Sequence, residues 1–316
     1  MEPFGGLHHV TAITGDAPAN LRFYTGLLGM RLVKKSVNQD DVSAYHLFYA
    51  DAKGSPGTDL TFFDWPNTPP NLPGTGGIAP ISLRVAGPDA IDWWRAKFEK
   101  EAVEHSAAIE REGRSVLPFS DPEGQRLELV SDGGAQGGTP WDRSPVPAEF
   151  QIKGLHGVGL TSAHPQTTAD VLTQVMGFRP VADGPLPEGG VEHVLEVGPG
   201  GPGAEVRLRV PAKSEHARQG RGGVHHVAFR VPDAETQVEW RDRIASVGLQ
   251  PTPVIDRFYF KSVYFREPGG ILFEIATDGP GFAADEPEET MGSKLALPPF
   301  LEPDRGKIEA GLIPLS

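Results

Sequence analysis

Apolar positions along this chain fall into short alternating runs, interrupted four times by stretches of helical period. Val227, Phe229 and Val231 alternate with Ala228 and Arg230. Ile271, Phe273 and Ile275 alternate with Leu272, Glu274 and Ala276. A period of two predicts strands with one apolar face. The helical stretches predict helices near 17–28, 88–102, 166–176 and 233–247, with Asp16 and Asp233 as N-caps and Gly29, Gly177 and Gly248 as stops. Trp93, Trp94 and Phe98 in one helix, and Val238, Trp240 and Ile244 in another, read as stripes that pack onto a sheet. Gly/Pro-rich stretches at 65–78, 132–148 and 183–203 read as loops.

These runs repeat. Phe119-Ser-Asp-Pro-Glu-Gly and the strand through Glu128 to Asp132 match Phe265-Arg-Glu-Pro-Gly-Gly and the strand through Glu274 to Asp278, 146 positions later. Ile81–Val85 matches Val227–Val231 at the same spacing, and Gly6–Val10 matches Gly154–Val158. Internal repetition of this kind marks duplicated structural units. The chain reads as two halves of two modules each, each module a strand, a helix and several further strands. The expected boundaries are residues 1–132, a linker at 133–153, residues 154–278, and a Pro- and acid-rich tail at 279–316 laid over the body.

Composition narrows the function. The 316 residues are 38% hydrophobic and 22% charged, as in a globular protein that buries a core. A net charge of −13 argues against nucleic acid or an anionic membrane as partner. The absence of cysteine excludes disulfides, thiolate metal sites and a cysteine nucleophile. No basic-then-apolar leader opens the sequence and no apolar run reaches membrane-spanning length, so a cytoplasmic location is expected. Nothing in the sequence sets an oligomeric state.

Candidate chemistry sits in three strand segments. Leu7-His8-His9-Val10-Thr11 and Val224-His225-His226-Val227-Ala228 each carry paired histidines, and the strand after Glu267-Pro-Gly-Gly carries Glu274. Parity sorts them. His226, Ala228 and Arg230 oppose the apolar face of their strand, as Glu274 and Ala276 oppose theirs. His9 takes the same side when His8 is matched to His156 of the third module. The same reading sends His8 and His225 toward the helices. Two imidazoles and one carboxylate form a facial triad with open metal positions, the arrangement of non-haem Fe(II) oxygenases. A buried carboxylate in an otherwise apolar strand also needs a cation or a partner. The repeat supplies an internal control. The counterparts of His9, His226 and Glu274 are Gly157, Pro80 and Glu128, so one of two related clefts keeps the triad.

These motifs resemble the vicinal oxygen chelate superfamily, an α+β fold of βαβββ modules paired around a metal. Within it the chain is similar to ring-cleaving dioxygenases that act on hydroquinones, through the two histidine segments, Tyr45-His46-Leu47-Phe48-Tyr49-Ala50-Asp51, Gly54-Ser-Pro-Gly-Thr58, the stretch from Asp256-Arg257 through Tyr264 to Glu274, and Gly281–Glu286. The resemblance implies Fe(II) on His9, His226 and Glu274, with Mn(II), Ni(II) or Zn(II) as alternatives. It implies a small aromatic substrate and O2 as partners. It also implies that His8, His225, Arg257 and Tyr264 act on the substrate and that Thr11 lines the site. For His8 and His225 this opposes the parity reading, and a strand bulge would reconcile the two. His46 reads as structural or as a support behind the site. Competing readings are a catechol extradiol dioxygenase, a glyoxalase-type isomerase, for which Asp64 would be the fourth ligand, and a binding protein without catalysis.

Overall fold

A computed structural model describes residues Met1–Leu315. The first module contains β1 (Leu7–Thr14), helix α1 (Ala17–Leu21), β2 (Arg31–Asn38), β3 (Asp41–Ala50) and β4 (Asp59–Asp64). The second contains β5 (Gly77–Val85), α2 (Pro88–Glu101), β6 (Ile109–Arg111), β7 (Arg114–Ser120) and β8 (Arg126–Ser131). The third contains β9 (Gly154–Thr161), α3 (Pro165–Asp170), β10 (Arg179–Pro185), β11 (Gly190–Glu196) and β12 (Glu205–Pro211). The fourth contains β13 (Gly223–Val231), α4 (Ala234–Ser246), β14 (Ile255–Asp256), β15 (Lys261–Arg266) and β16 (Leu272–Thr277). The βαβββ plan thus recurs four times.

The helices start as the sequence indicates, with Asp16 and Asp233 accepting from the backbone N–H groups of Ala19 and Thr236. In modules one and three the helix widens into a π turn, Arg22–Leu27 and Val171–Val175. There the Leu28 N–H donates to the Phe23 carbonyl and the Met176 N–H to the Val171 carbonyl. The stretch expected to be loop at 183–203 holds the end of β10 and all of β11. β10 and β11 form a hairpin at the sheet edge, where proline and glycine in a strand interrupt no second ladder.

The modules combine in crossed order. One eight-stranded sheet runs β14-β15-β16-β13-β1-β4-β3-β2, joining module four to module one. The other runs β10-β11-β12-β9-β5-β8-β7-β6, joining module three to module two. Each sheet therefore takes one module from each sequence half, whereas the consecutive pairs 1–132 and 154–278 describe the repeat but not the sheets. Antiparallel β1 and β13 form the centre of the first sheet. Val227, Phe229, Phe273 and Ile275 are buried beneath Trp240 and Ile244 of α4, in a core cluster that continues through the second sheet. No helix is long and apolar enough to cross a membrane.

A candidate metal centre

Strand pairing brings the three expected ligands together. His9 pairs with Ala228, and Ala228 pairs with Glu274, so these positions form one row across β1, β13 and β16, with His226 one row along beside Thr11. The small side chain of Ala228 leaves the space above it to its neighbours. His9 Nε2 lies 3.3 Å from His226 Nε2 and 3.2 Å from Glu274 Oε2, and His226 Nε2 lies 2.8 Å from Glu274 Oε2. Adjacent donors of an octahedral ion, each about 2.1 Å from the metal, stand about 3 Å apart, so the set fits one face. Glu274 is fully buried. Its Oε1 accepts from Ser262 Oγ at 2.5 Å, while Oε2 has no hydrogen-bond partner among the described residues. Burial pushes this carboxyl upward, but the two imidazoles outweigh burial and hold it well below the usual carboxylate range. An orphaned, ionised oxygen beside two imidazole nitrogens suits a divalent cation.

The neighbouring histidines set the ring orientation. β1 and β13 slip by one residue at His8 and again at His225, and these bulges turn both side chains away from the helices. The simple parity reading of His8 and His225 is thereby corrected. His8 Nδ1 lies 2.9 Å from His9 Nδ1, and His225 Nδ1 lies 2.8 Å from His226 Nδ1. His8 Nε2 lies 3.1 Å from the Thr277 carbonyl, which only accepts, so that nitrogen carries the His8 proton. His8 Nδ1 must then accept from His9 Nδ1–H, which leaves the His9 Nε2 lone pair free to ligate. His225 Nδ1 makes the equivalent contact with His226 Nδ1. His8 and His225 stand behind the His9 and His226 rings, not on the cavity wall.

Burial lowers both His8 and His225 to about 3. In the unfolded chain each takes up a proton below its ordinary value near 6.5, whereas the folded chain resists until near 3. The unfolded state therefore binds more protons in that window, and the contribution of these rings to stability falls as pH drops through it. Asp64 and Asp121, each raised to about 6 by burial, act in the opposite sense. The expected result is consequently differential. Urea midpoints measured at pH 7 and pH 5 on the metal-free protein should fall more for the wild type than for His225→Phe.

The cavity above the three ligands has aromatic walls of Phe48, Phe63, Tyr259 and Phe260. Its polar groups include His46, Tyr264, Arg257, Gln39 and Asp40. Tyr264 pairs directly opposite Glu274, with its ring 5.6 Å from the His226 ring. Burial and then the Glu274 charge raise its phenol well above the ordinary value, so it remains protonated. The Arg257 guanidinium lies 5.7 Å over the Tyr264 ring and makes two hydrogen bonds to Asp40, at 3.1 and 2.7 Å. Burial opposes that charge, but Asp40 outweighs it and keeps Arg257 above its ordinary range. Thr11 does not reach the wall. Its hydroxyl is 2.8 Å from that of Thr61, which in turn lies 3.0 Å from His46 Nε2. Asp64 lies at the end of β4, lining a different cleft with Trp65 and Gly311, and offers no fourth ligand.

Sequence reasoning missed two parts of this site and placed a third, His46, behind it. His46 faces the cavity and is held neutral by burial and by the nearby His9 and His226. Its strand alternation, Tyr45 and Leu47 in and His46 out, carried that signal. Ser262 fixes Glu274, and its position two residues before Tyr264 placed it on the same face. Gln39 and Asp40 come from a turn and had no periodic signal.

The second sheet holds the related cleft. Glu128 there accepts from Arg111 at 2.5 and 3.1 Å and from Ser82 at 2.5 Å. Burial pushes its carboxyl upward, but Arg111 and Ser82 more than offset this. A Cβ on Gly157 would meet the Glu205 carbonyl oxygen at 2.8 Å, so a side chain at this position has no room. A guanidinium does here what a cation would do beside Glu274.

Comparison with known proteins agrees with this architecture. Residues 6–129 and 154–275 match the Glyoxalase/Bleomycin resistance protein/Dioxygenase superfamily. The chain is 47% identical over 311 residues to "Putative ring-cleaving dioxygenase MhqA" of Bacillus subtilis, covering 98% of each. It is 31% identical over 309 residues to the chlorohydroquinone/hydroquinone 1,2-dioxygenase of Sphingobium indicum, covering 94% of this chain and 92% of the other. A crystal structure titled as a putative dioxygenase from Bacillus subtilis superposes with a TM-score of 0.90 at 41% identity, covering 100% of this chain and 99% of that one. Glyoxalase I from Zea mays shares the fold, with a TM-score of 0.63 at 14% identity, covering 86% and 92%.

Proposed function

This chain belongs to the Glyoxalase/Bleomycin resistance protein/Dioxygenase superfamily, and from that premise we propose that it is an Fe(II)-dependent dioxygenase that opens a hydroquinone-type ring. The observation that carries the reading is three converging donors, His9, His226 and Glu274, beneath an aromatic-walled cavity. Relatives named as ring-cleaving dioxygenases, one a hydroquinone 1,2-dioxygenase, support the choice of reaction.

Fe(II) on these ligands supplies a Lewis acid that acidifies a bound phenol and a redox centre that reacts with O2. The remaining work falls to side chains. Phe48, Phe63, Tyr259 and Phe260 hold a flat ring and exclude water. Tyr264, kept protonated, donates a hydrogen bond to negative charge that develops on the substrate near Glu274. Arg257 stabilises the same charge from the cavity mouth. Neutral His46 can hold a substrate hydroxyl proton. His8 acts through the His9 ring by fixing its tautomer, and His225 holds the His226 ring through the matching contact. Both atoms of O2 enter the product, so no external reductant is required.

The test is O2 uptake and product mass for the iron-loaded protein. Consumption with substituted or plain hydroquinones, giving a product heavier by two oxygen atoms, is expected. Uptake with catechols alone would transfer the protein to the extradiol class. Isomerisation of a glutathione hemithioacetal without O2 uptake would overturn the oxygenase reading, which the absence of a second carboxylate ligand among the described residues already disfavours.

A further inference from the structure

The C-terminal segment lies beyond the matched residues, which end at 275, yet it backs one wall of the cavity. It runs along the free edge of β2. Ser36 Oγ donates to the Ala296 carbonyl at 2.7 Å, and the Ala296 N–H donates to the Lys35 carbonyl at 2.8 Å. Val37 clusters with Leu297 and Ile308. Phe282 packs behind Phe48, ring centroids 5.0 Å apart. Ser36, Val37 and Phe48 all face the cavity.

One tether ties the segment to the cavity most directly. The Lys34 side chain is wholly buried on β2, where an unpaired ammonium would be strongly destabilising. Its Nζ reaches Asp285 Oδ1 at 2.6 Å and also bonds Glu286. The same Asp285 accepts the Tyr259 hydroxyl at 2.9 Å through Oδ2, and the Lys34 ammonium lies 4.8 Å from the centre of the Tyr259 ring. Tyr259 is therefore held at its hydroxyl and over one ring face. Its hydroxyl is occupied, so it offers the cavity an apolar wall, not a donor.

We propose that residues 281–297 buttress the specificity wall of this cavity from behind, and that the Lys34–Asp285–Tyr259 tether limits the size of ring substituent it admits. The inference rests on the reading of the cavity as a phenol site. Tyr259 selects by shape, and Asp285 is a positioning residue that acts through it. A fixed apolar wall discriminates by about tenfold or more per added carbon, and a loosened wall loses that discrimination.

The experiment is calorimetric binding to the iron-loaded protein under nitrogen, with hydroquinone, methylhydroquinone and tert-butylhydroquinone as probes. Wild type should favour the smaller rings. Tyr259→Phe and Asp285→Ala should compress the ratio between the smallest and the bulkiest ring by about tenfold, through tighter binding of the bulky one. Glu302→Gln, beyond that segment in the C-terminal tail and paired only with Arg305, should keep the wild-type ratio. Metal content and thermal midpoint identify folded variants, and if Asp285→Ala does not fold, Tyr259→Phe decides alone. A folded Tyr259→Phe that keeps the wild-type ratio, or weakens all three rings equally, overturns the proposal and leaves the functional reading standing. Failure of wild type to bind any of the three overturns both.

Discussion

Glu274→Ala should leave the protein unable to hold iron, whereas Glu128→Ala should leave iron binding nearly intact. The two carboxylates occupy equivalent strands of related sheets and are both buried, so sequence context alone does not separate them. Their surroundings do. Glu274 meets two imidazole nitrogens and keeps one oxygen without a hydrogen-bond partner among the described residues, while Glu128 is saturated by Arg111 and Ser82. Altering a group that merely supports a metal ligand weakens affinity or activity roughly 10–100-fold, and removing a ligand should be at least as severe. Metal analysis after dialysis against a weak chelator is the check. Two irons per chain in the wild type, or equal losses from the two variants, would defeat the assignment of a single site.

Tyr264→Phe should keep its iron and turn over slowly. The phenol sits opposite Glu274 on the neighbouring strand, and burial beside that charge keeps its proton in place. A hydrogen bond from such a group to a charged partner is worth roughly 1.5–3 kcal/mol, or about one to two decades in rate. Steady-state kinetics with metal content measured on the same sample separate the outcomes. A fall in kcat at full iron occupancy supports a donor to the reacting substrate. A loss of iron in step with activity would make Tyr264 a support for Glu274 instead.

Much of this molecule was legible from periodicity. The repeat of Glu128 at Glu274 gave the module count, and parity placed His226 and Glu274 on one face. It misplaced His8 and His225 because alternation assumes an unbroken ladder, and both residues sit at bulges that a one-residue slip creates. The resemblance to known dioxygenases put them near the expected metal, but only the ring contacts show that they face His9 and His226. The crossed pairing of modules had no local signal either, since hydrogen bonds between β1 and β13 depend on partners distant in sequence. Gln39, Asp40 and the tether at Asp285 escaped for the same reason: each gains its role from a contact across the fold, not from its own segment.

That crossed pairing has a consequence for how the protein is made. His9 and His226 are 217 positions apart, and the central β1 ladder is completed by a strand from the last module. During synthesis the first module emerges with His9 and an open strand flank, and it waits for nearly the whole remaining chain before either meets its partners. Long-range pairing of this kind forms slowly and leaves exposed edges prone to association. The second and third modules, adjacent in sequence, can close their sheet first and serve as a template. On the proposed reading, metal acquisition is then a terminal event of biogenesis, since His9, His226 and Glu274 meet only in a finished chain.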